Sequence, residues 1–344
     1  MADVARLAGV SHQTISRVLN GHENVRPETR ARVLEAIDQL QYRPNASARA
    51  LVTRRTRLLG VVAFDTTLYG PASTLYGIEQ AAREAGYFVT IVSLKTITRD
   101  SVSDALGVLA DHAVDGIVVI APQREAVEAL YRVPGGLAAV AVEGGEGTRE
   151  VPVVSVGQEQ GGRLATEHLL GLGHRTVHHV AGPDDWLEAE ARVAGWRAAL
   201  RDAGAPLPRM LRGDWSPRSG YAAGKALLDA SDAQALTAVF AGNDQMALGV
   251  LRAFREAGVR VPDDVSVVGF DDVPEAEFFP PPLTTVAQDF DEVGRLSIDL
   301  LLHRLEGGRP ASSPVVPPRL VVRESSGPPG RGSGGGVLPE TGRG

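Results

Sequence analysis

Gln13 and Arg17 stand four residues apart in the stretch Asp3–Asn20, DVARLAGVSHQTISRVLN, which puts both on one face of a helix. These are the side-chain types that read adenine and guanine edges bidentately in the major groove, so the spacing describes a base-reading surface. His12 and Ser16 share this polar face, while Val10, Ile15, Val18 and Leu19 can pack inward on the other. Upstream, Val4, Leu7 and Ala8 recur at helical spacing, Gly9 supplies a permissive turn, and Ser11 is placed to N-cap a second helix running through Arg17. The stretch predicts a helix-turn-helix. Its plainer alternative is a capped helical hairpin with a solvated face.

A second set of residues suits a hydroxylated ligand. Asn243-Asp244 follows the apolar run Ala238–Ala241, and Asp271-Asp272 follows Ser266–Phe270, so both pairs fall at predicted strand ends. Arg192, placed before an apolar face in Glu190–Trp196, can clamp ring hydroxyls while Trp215 or Trp186 stacks on a sugar's C–H face. Each residue also has a structural role open to it: helix N-cap for Asn243, turn-former for Asp272, surface helix charge for Arg192, core packing for the tryptophans. We assign Trp196 to the core, Trp215 to the site and Trp186 to the cleft mouth.

Enzymatic chemistry finds no support. No nucleophile, base or acid/base carboxylate pair has convincing spacing, and His174, His178 and His179 lack a carboxylate at a metal-ligand distance, which makes them structural or surface histidines. There is no G-x-G-x-x-G at a strand-to-helix turn and no P-loop, so no cofactor is expected.

The elements that must position these residues alternate along the chain. Arg26–Leu40 reads as a third helix with Val33, Leu34, Ile37 and Leu40 as its apolar stripe and Pro27 near its start. Asn45–Leu51 is a small-residue segment too short to be helical without a partner, and Thr53–Arg57 a charged linker. From Leu58 short apolar runs alternate with amphipathic stretches. The predicted strands are Leu58–Phe64, Phe88–Ser93, Gly116–Ile120, Ala138–Val142, Thr176–Ala181, Ala238–Ala241, Ser266–Asp271 and Arg319–Arg323. Helices are predicted around Ser73–Ala85, Val102–His112, Gln123–Tyr131, Gly161–Leu172, Glu188–Ala203, Gly220–Leu228, Gln245–Ala257 and Phe290–Leu305. This is an α/β pattern of parallel sheets covered by helices, long enough for two lobes that break near Gly157, with a ligand expected between them. After Glu324 the Gly/Pro/Ser-rich sequence predicts a disordered tail. It contains Leu338–Gly342, LPETG, which resembles a sortase signal, but no hydrophobic segment follows it.

The chain has 344 residues and a net charge of -7, yet Met1–Arg57 holds ten Arg, no Lys and five acids, leaving +5 there and -12 elsewhere. Positive charge is concentrated where phosphate contacts would be made. Zero cysteines exclude disulfides and thiolate chemistry. No apolar h-region opens the chain and no membrane-length run appears, which predicts a cytoplasmic protein with no membrane partner.

DVARLAGVS, TISRVLNG, TRARVLEAI and YRPNASARAL resemble the headpiece and hinge of the lactose repressor (LacI/GalR) family of bacterial transcription regulators. GDWS, AGNDQMALG, DDVSVVGFDD and PPLTTVAQDF resemble its core, and the likeness runs from Asp3 to about Glu324. The resemblance implies a helix-turn-helix headpiece (1–43), a hinge helix and linker (44–57), a two-lobed periplasmic-binding-protein-like core (58–325) and a tail (326–344). The N-lobe would comprise about 58–157 and 288–317, the C-lobe about 158–287 and 318–325. It implies base reading by His12, Gln13 and Arg17, phosphate contact or capping by Ser11, Thr14, Ser16 and Asn20, and a hinge of Asn45, Ala48 and Leu51 in which Leu51 wedges the minor groove. It also implies a sugar effector held by Arg192, Trp215, Asn243, Asp271 and Gln288. Departures fall in the other lobe: Ile120 replaces a polar amide and Glu143 an aspartate, which suggests a larger or differently oriented sugar. The Gly/Pro tail replaces a tetramer-forming helix, which predicts a homodimer on a pseudo-palindromic double-stranded DNA operator. Only Met1-Ala2 precede Asp3, where the family carries capping residues, so further residues are expected upstream. A purine-type corepressor and a solute-binding protein without DNA function are the alternatives.

Overall fold

The computed structural model describes residues 1–19, 24–42, 55–96, 98–124, 126, 137–143, 151–229, 236–308 and 313–330. Asn20, Asn45, Ala48, Leu51, most of the expected helix Gln123–Tyr131 and the Leu338–Gly342 motif lie outside them. The chain divides into two compact units, Met1–Arg57 and Leu58–Gly344.

The first unit contains α1 (Ala2–Ala8), α2 (His12–Leu19) and α3 (Pro27–Gln39). Gly9 ends α1 at φ 62°, a left-handed conformation that glycine adopts without a Cβ clash, and its N–H donates to the Ala5 carbonyl. Met1 occupies the N-cap of α1 without a side-chain hydrogen bond. Val4, Ala5, Ala8, Ile15, Val18, Val33 and Ala36 form the core. The expected stripes are corrected here: Leu7, Leu34 and Leu40 are exposed at 51%, 52% and 43%. Small residues at Ala5, Ala8 and Ala36 let the three short helices approach closely, and the larger leucines remain on their flanks.

The second unit holds two sheets. In chain order the elements are β1 (Leu58–Phe64), α4 (Tyr69–Glu84), β2 (Phe88–Leu94), α5 (Arg99–Asp111), β3 (Gly116–Ile120), β4 (Ala138–Val142) and β5 (Val153–Val156). There follow α6 (Gln158–Gly171), β6 (His178–Ala181), α7 (Leu187–Asp202), β7 (Leu211–Arg212), α8 (Pro217–Asp229), β8 (Ala238–Ala241), α9 (Asp244–Glu256), β9 (Ser266–Asp271) and β10 (Thr284–Ala287). Last come α10 (Phe290–Leu305), β11 (Val315–Val316) and β12 (Arg319–Val321). The sheets are ordered β11-β5-β4-β3-β1-β2 and β12-β10-β9-β8-β6-β7. Pairing is parallel except between β10 and β12.

The chain therefore changes lobe near Gly157, Gln288 and Pro317. Helix α10 follows the second sheet in sequence, yet its Val293, Ile298 and Leu301 are buried in the core of the first, where the helix packs on β3, β4 and β5. It crosses α4 at Gly294 and Gly77, where a Cβ on either residue would meet the backbone of the other helix. Strands β5, β7, β10 and β11, absent from the sequence expectation, have two to four residues and are too short to display a period. Helices α4, α5, α6 and α8 begin three or four residues before the expected starts, because their first turns are polar or glycine-containing and outside the apolar stripe.

Residues 325–330 depart from the expected disorder. Ser325 is buried, and its Oγ accepts from the Thr284 amide at 2.8 Å and donates to the Val267 carbonyl at 2.6 Å. Gly327 N–H donates to Ser266 Oγ at 3.0 Å, and its carbonyl pairs with His174 Nε2 at 2.9 Å. Backbone hydrogen bonding, which apolar composition does not reveal, ties this segment to the second sheet. Among the described residues no helix is long and apolar enough to cross a membrane.

Candidate functional site

On α2 the Ser11 Oγ accepts the Thr14 amide at 3.2 Å and so caps the helix. His12, Gln13 and Arg17 are exposed, Thr14 and Ser16 half-buried, while Ile15 and Val18 anchor the opposite side in the core. No carboxylate lies on α2, so its polar side can approach a phosphate backbone without like-charge repulsion.

In the second unit a cleft is lined by Glu143, Trp186, Arg192, Trp215, Asn243, Asp271 and Gln288, bringing together every residue named for the effector site. The topology explains the convergence. Glu143 follows β4, Asp271 ends β9, Gln288 follows β10 and Asn243 follows β8, so each stands at the carboxyl end of a strand. Arg192 is not a surface charge: it lies on the inner side of α7 and is 2% exposed. Its Nε donates to Gln158 Oε1 at 2.8 Å, Nη1 to the Gly242 carbonyl at 2.6 Å, and its guanidinium lies 3.8 Å from the centroid of the Phe270 ring. Nη2 stands 3.6 Å from Glu188 and 3.9 Å from Asp271.

A hydrogen-bonded chain completes the wall. Gln158 Nε2 donates to Gln288 Oε1 at 2.8 Å, and Gln288 Nε2 to Asp271 Oδ1 at 2.7 Å. Glu143 Oε1 accepts the Val156 amide at 2.7 Å. Asn243 takes the N-cap role, its Oδ1 accepting the Met246 amide of α9 at 2.9 Å, and the residue also lines the cleft. Its Nδ2 donates to the Trp215 carbonyl at 3.1 Å. Behind it, buried Asp244 accepts from Thr285 Oγ1 at 2.6 Å and the Val273 amide at 2.9 Å, bracing the segment after β9. A Cβ on Gly269 would collide with this carboxylate.

Trp215 and Trp186 meet edge to face with centroids 5.5 Å apart. Trp186 is buried, which corrects its expected place at the cleft mouth: Phe64 packs beside it at 6.1 Å and draws it inward. Trp196 is a core residue, its Nε1 donating to the Val177 carbonyl at 2.8 Å. Glu143, Trp215 and Asp271 have φ of 61°, 71° and 110°, each in the region that favours glycine. Strain of this kind costs on the order of 1–3 kcal/mol per residue and concentrates at ligand clamps.

Burial dominates the acidity of the wall. It pushes Asp271 up to about 6 against the opposing effects of Arg192 and Gln288. Glu188 rises to about 7 through burial, with Arg192 pulling it down and Asp271 pushing it further up. Glu143 is raised well above the usual carboxylate range by burial and by the Glu188 charge.

Sequence reasoning missed Glu188, Gln158 and Tyr69 as cleft or support residues. Glu188 lies one turn before Arg192, a spacing that could have revealed it. Tyr69 lines the cleft just beyond β1, where the strand-end rule applies. The histidines are structural: His179 stacks on Phe240 at 4.5 Å and its Nδ1 pairs with the Phe240 carbonyl at 2.8 Å. Burial lowers the His179 pKa to about 3. Among the described residues no group of His, Cys, Asp and Glu could hold a metal ion.

Residues 1–45 match the bacterial regulatory proteins of the lacI family, and residues 166–326 match a periplasmic binding protein-like domain. The lactose operon repressor of Escherichia coli (strain K12) is 35% identical over 332 residues, covering 94% of this chain and 89% of that protein. The transcriptional regulator CelR of Thermobifida fusca is 37% identical over 337 residues, with 94% and 96% covered. The transcriptional repressor PurR of Vibrio parahaemolyticus is 33% identical over 330 residues, with 94% and 97% covered. The crystal structure of the Lac repressor dimer bound to operator and the anti-inducer ONPF superposes with a TM-score of 0.84 at 32% identity, covering 94% of this chain and 98% of that one. A CelR–cellobiose complex superposes with a TM-score of 0.72 at 34% identity and the same coverage.

Proposed function

The chain belongs to the lacI family of DNA-binding transcriptional repressors, and from that premise we propose that it is a homodimer released from a pseudo-palindromic operator by a galactoside- or glucoside-like inducer. The observation that carries the sugar assignment is the cleft itself. Arg192, Asn243, Asp271 and Gln288 offer fixed polar groups to ring hydroxyls, and Trp215 offers an aromatic face. The cellobiose in the CelR complex supports a glucoside, and the lactose repressor a galactoside.

Gln13 and Arg17 read bases, His12 joins them, and Ser11, Thr14, Ser16 and Asn20 position the helix on phosphate. Asn45, Ala48 and Leu51 form the hinge, which folds when two copies meet in the minor groove, Leu51 acting as the wedge. Sugar binding disorders that hinge with a coupling of about 1–3 kcal/mol. Operator affinity measured with and without a panel of galactosides and glucosides tests the reading: weakening by at least one is expected, and indifference to all removes the sugar assignment. Leu51→Ala should weaken operator binding while the core stays folded; unchanged affinity removes the wedge.

The similarity to PurR, together with the Trp186–Trp215 pair as a stacking surface, favours a second reading in which a purine-like corepressor tightens operator binding. Tightening on addition of a purine base identifies it.

A further inference from the structure

We propose that the cleft accommodates a sugar bearing a protonated amino group, with Glu188 as the carboxylate that receives it. The proposal rests on the reading of this cleft as the effector site. Among the described residues that line it, Arg192 is the one cation, facing three carboxyl groups, Glu143, Glu188 and Asp271. With Glu143 held neutral by burial, ionised Glu188 and Asp271 leave the cleft one negative charge in excess of Arg192.

The guanidinium cannot absorb that excess. Its Nε and Nη1 are committed to Gln158 and Gly242, its face to Phe270, and Nη2 stands 3.6 Å from Glu188, outside good hydrogen-bonding distance. Asp271 has the Gln288 amide as donor and Glu143 has the Val156 N–H. Among the described residues Glu188 has only the long ion pair, and its side chain is 18% exposed. On the same wall Trp215 is 5% exposed, and its buried indole N–H has no acceptor among the described residues. The cleft thus presents a carboxylate with no hydrogen bond among the described residues. An ammonium group of a ligand supplies that hydrogen bond.

A neutral hydroxyl could also donate to Glu188, but it would leave the charge excess in place. An ammonium cancels one charge and makes a hydrogen bond in which donor and acceptor are both ionised. The titratable groups that line the cleft with Glu188 are Glu143, Asp271, Arg192 and Tyr69. Because burial raises Glu188 to about 7, part of the empty protein carries a proton there near neutrality. An arriving ammonium expels it, whereas a neutral sugar does not.

Calorimetric titration of the full chain near neutral pH, with D-glucose and D-galactose against their 2-amino-2-deoxy and 6-amino-6-deoxy counterparts, tests this. At least one amino sugar should bind about tenfold or more tighter than its parent. Repeating the titration in buffers of different ionisation enthalpy should show proton release for the amine alone. Glu188→Gln should erase the preference and Glu188→Asp retain part of it; a preference that survives Glu188→Gln overturns the assignment to Glu188. Neutral parents binding as well as every amine overturn the proposal and leave the sugar site standing. Binding of no sugar at all overturns the effector reading with it. The wild-type comparison decides the ligand class even if a variant fails to fold.

Discussion

Helix α2 and the cleft both depend on arginine and amide side chains, yet they hold them in opposite ways. Gln13 and Arg17 are exposed on α2, with Ile15 and Val18 fixing the helix from beneath. Arg192 is enclosed, and Gln158, Gly242, Phe270, Glu188 and Asp271 surround it before any ligand arrives. A polyanion such as DNA supplies its own acceptors, so a reading side chain needs only a rigid helix and open space. A small ligand inside a protein meets groups that have lost their water, and these must be partnered within the fold. In the first case function and stability separate; in the second they are coupled.

Substitutions can break or sharpen that contrast. The largest effect on folding is expected from Arg192→Leu, which leaves buried carboxyl groups and the Gly242 carbonyl uncompensated: a loss of about 3–5 kcal/mol in the core's unfolding free energy by chemical denaturation. Survival at full stability would show that the cleft is not coupled to the core. Next, Arg17→Ala should weaken operator binding by about 1–3 kcal/mol in a titration at fixed salt, with stability changed by no more than about 0.5 kcal/mol. A stability loss as large as that of Arg192→Leu would erase the distinction. Ser11→Ala, which removes the cap on α2, should cost about 1 kcal/mol of helical stability, read by thermal melting of the first unit's helical signal.

The smallest effect is a pH trend. Glu188 ionises at about 7 in the folded chain against a usual value near 4.5, so the folded state holds the proton more tightly. Its contribution is fully present below about 4.5 and is lost as pH rises towards about 7. Wild type should therefore lose unfolding temperature relative to Glu188→Gln as pH rises through that window, with the difference levelling off above it. A difference independent of pH would mean that Glu188 ionises as a solvent-exposed carboxylate does.

Local patterns carried much of this into the sequence. The strands Leu58–Phe64, Gly116–Ile120, Ala138–Val142, Ala238–Ala241 and Ser266–Asp271 have the bounds that their apolar runs predict. The α2 face was legible because a helix needs only its own period to sort residues into buried and exposed. The effector residues were named from strand ends and from family likeness, and their partners were not. Gln158, more than thirty residues before Arg192 and 130 before Gln288, joins both only when packing on the second sheet brings α6, α7 and the end of β10 together.

By itself, then, the sequence determined the helix-turn-helix with its basic surroundings, the βα alternation and the absence of any spacing fit for catalysis, because all of these are written in short-range periodicity and composition. Tertiary structure decided the rest: that Arg192 is buried, that Glu188 stands 3.6 Å from it, that Ser325–Gly327 is tied to a sheet, and that Leu7 and Leu34 are left outside a small core. Burial and charge balance are properties of what surrounds a residue. Those surroundings come from segments far apart along the chain, which no local pattern can assemble.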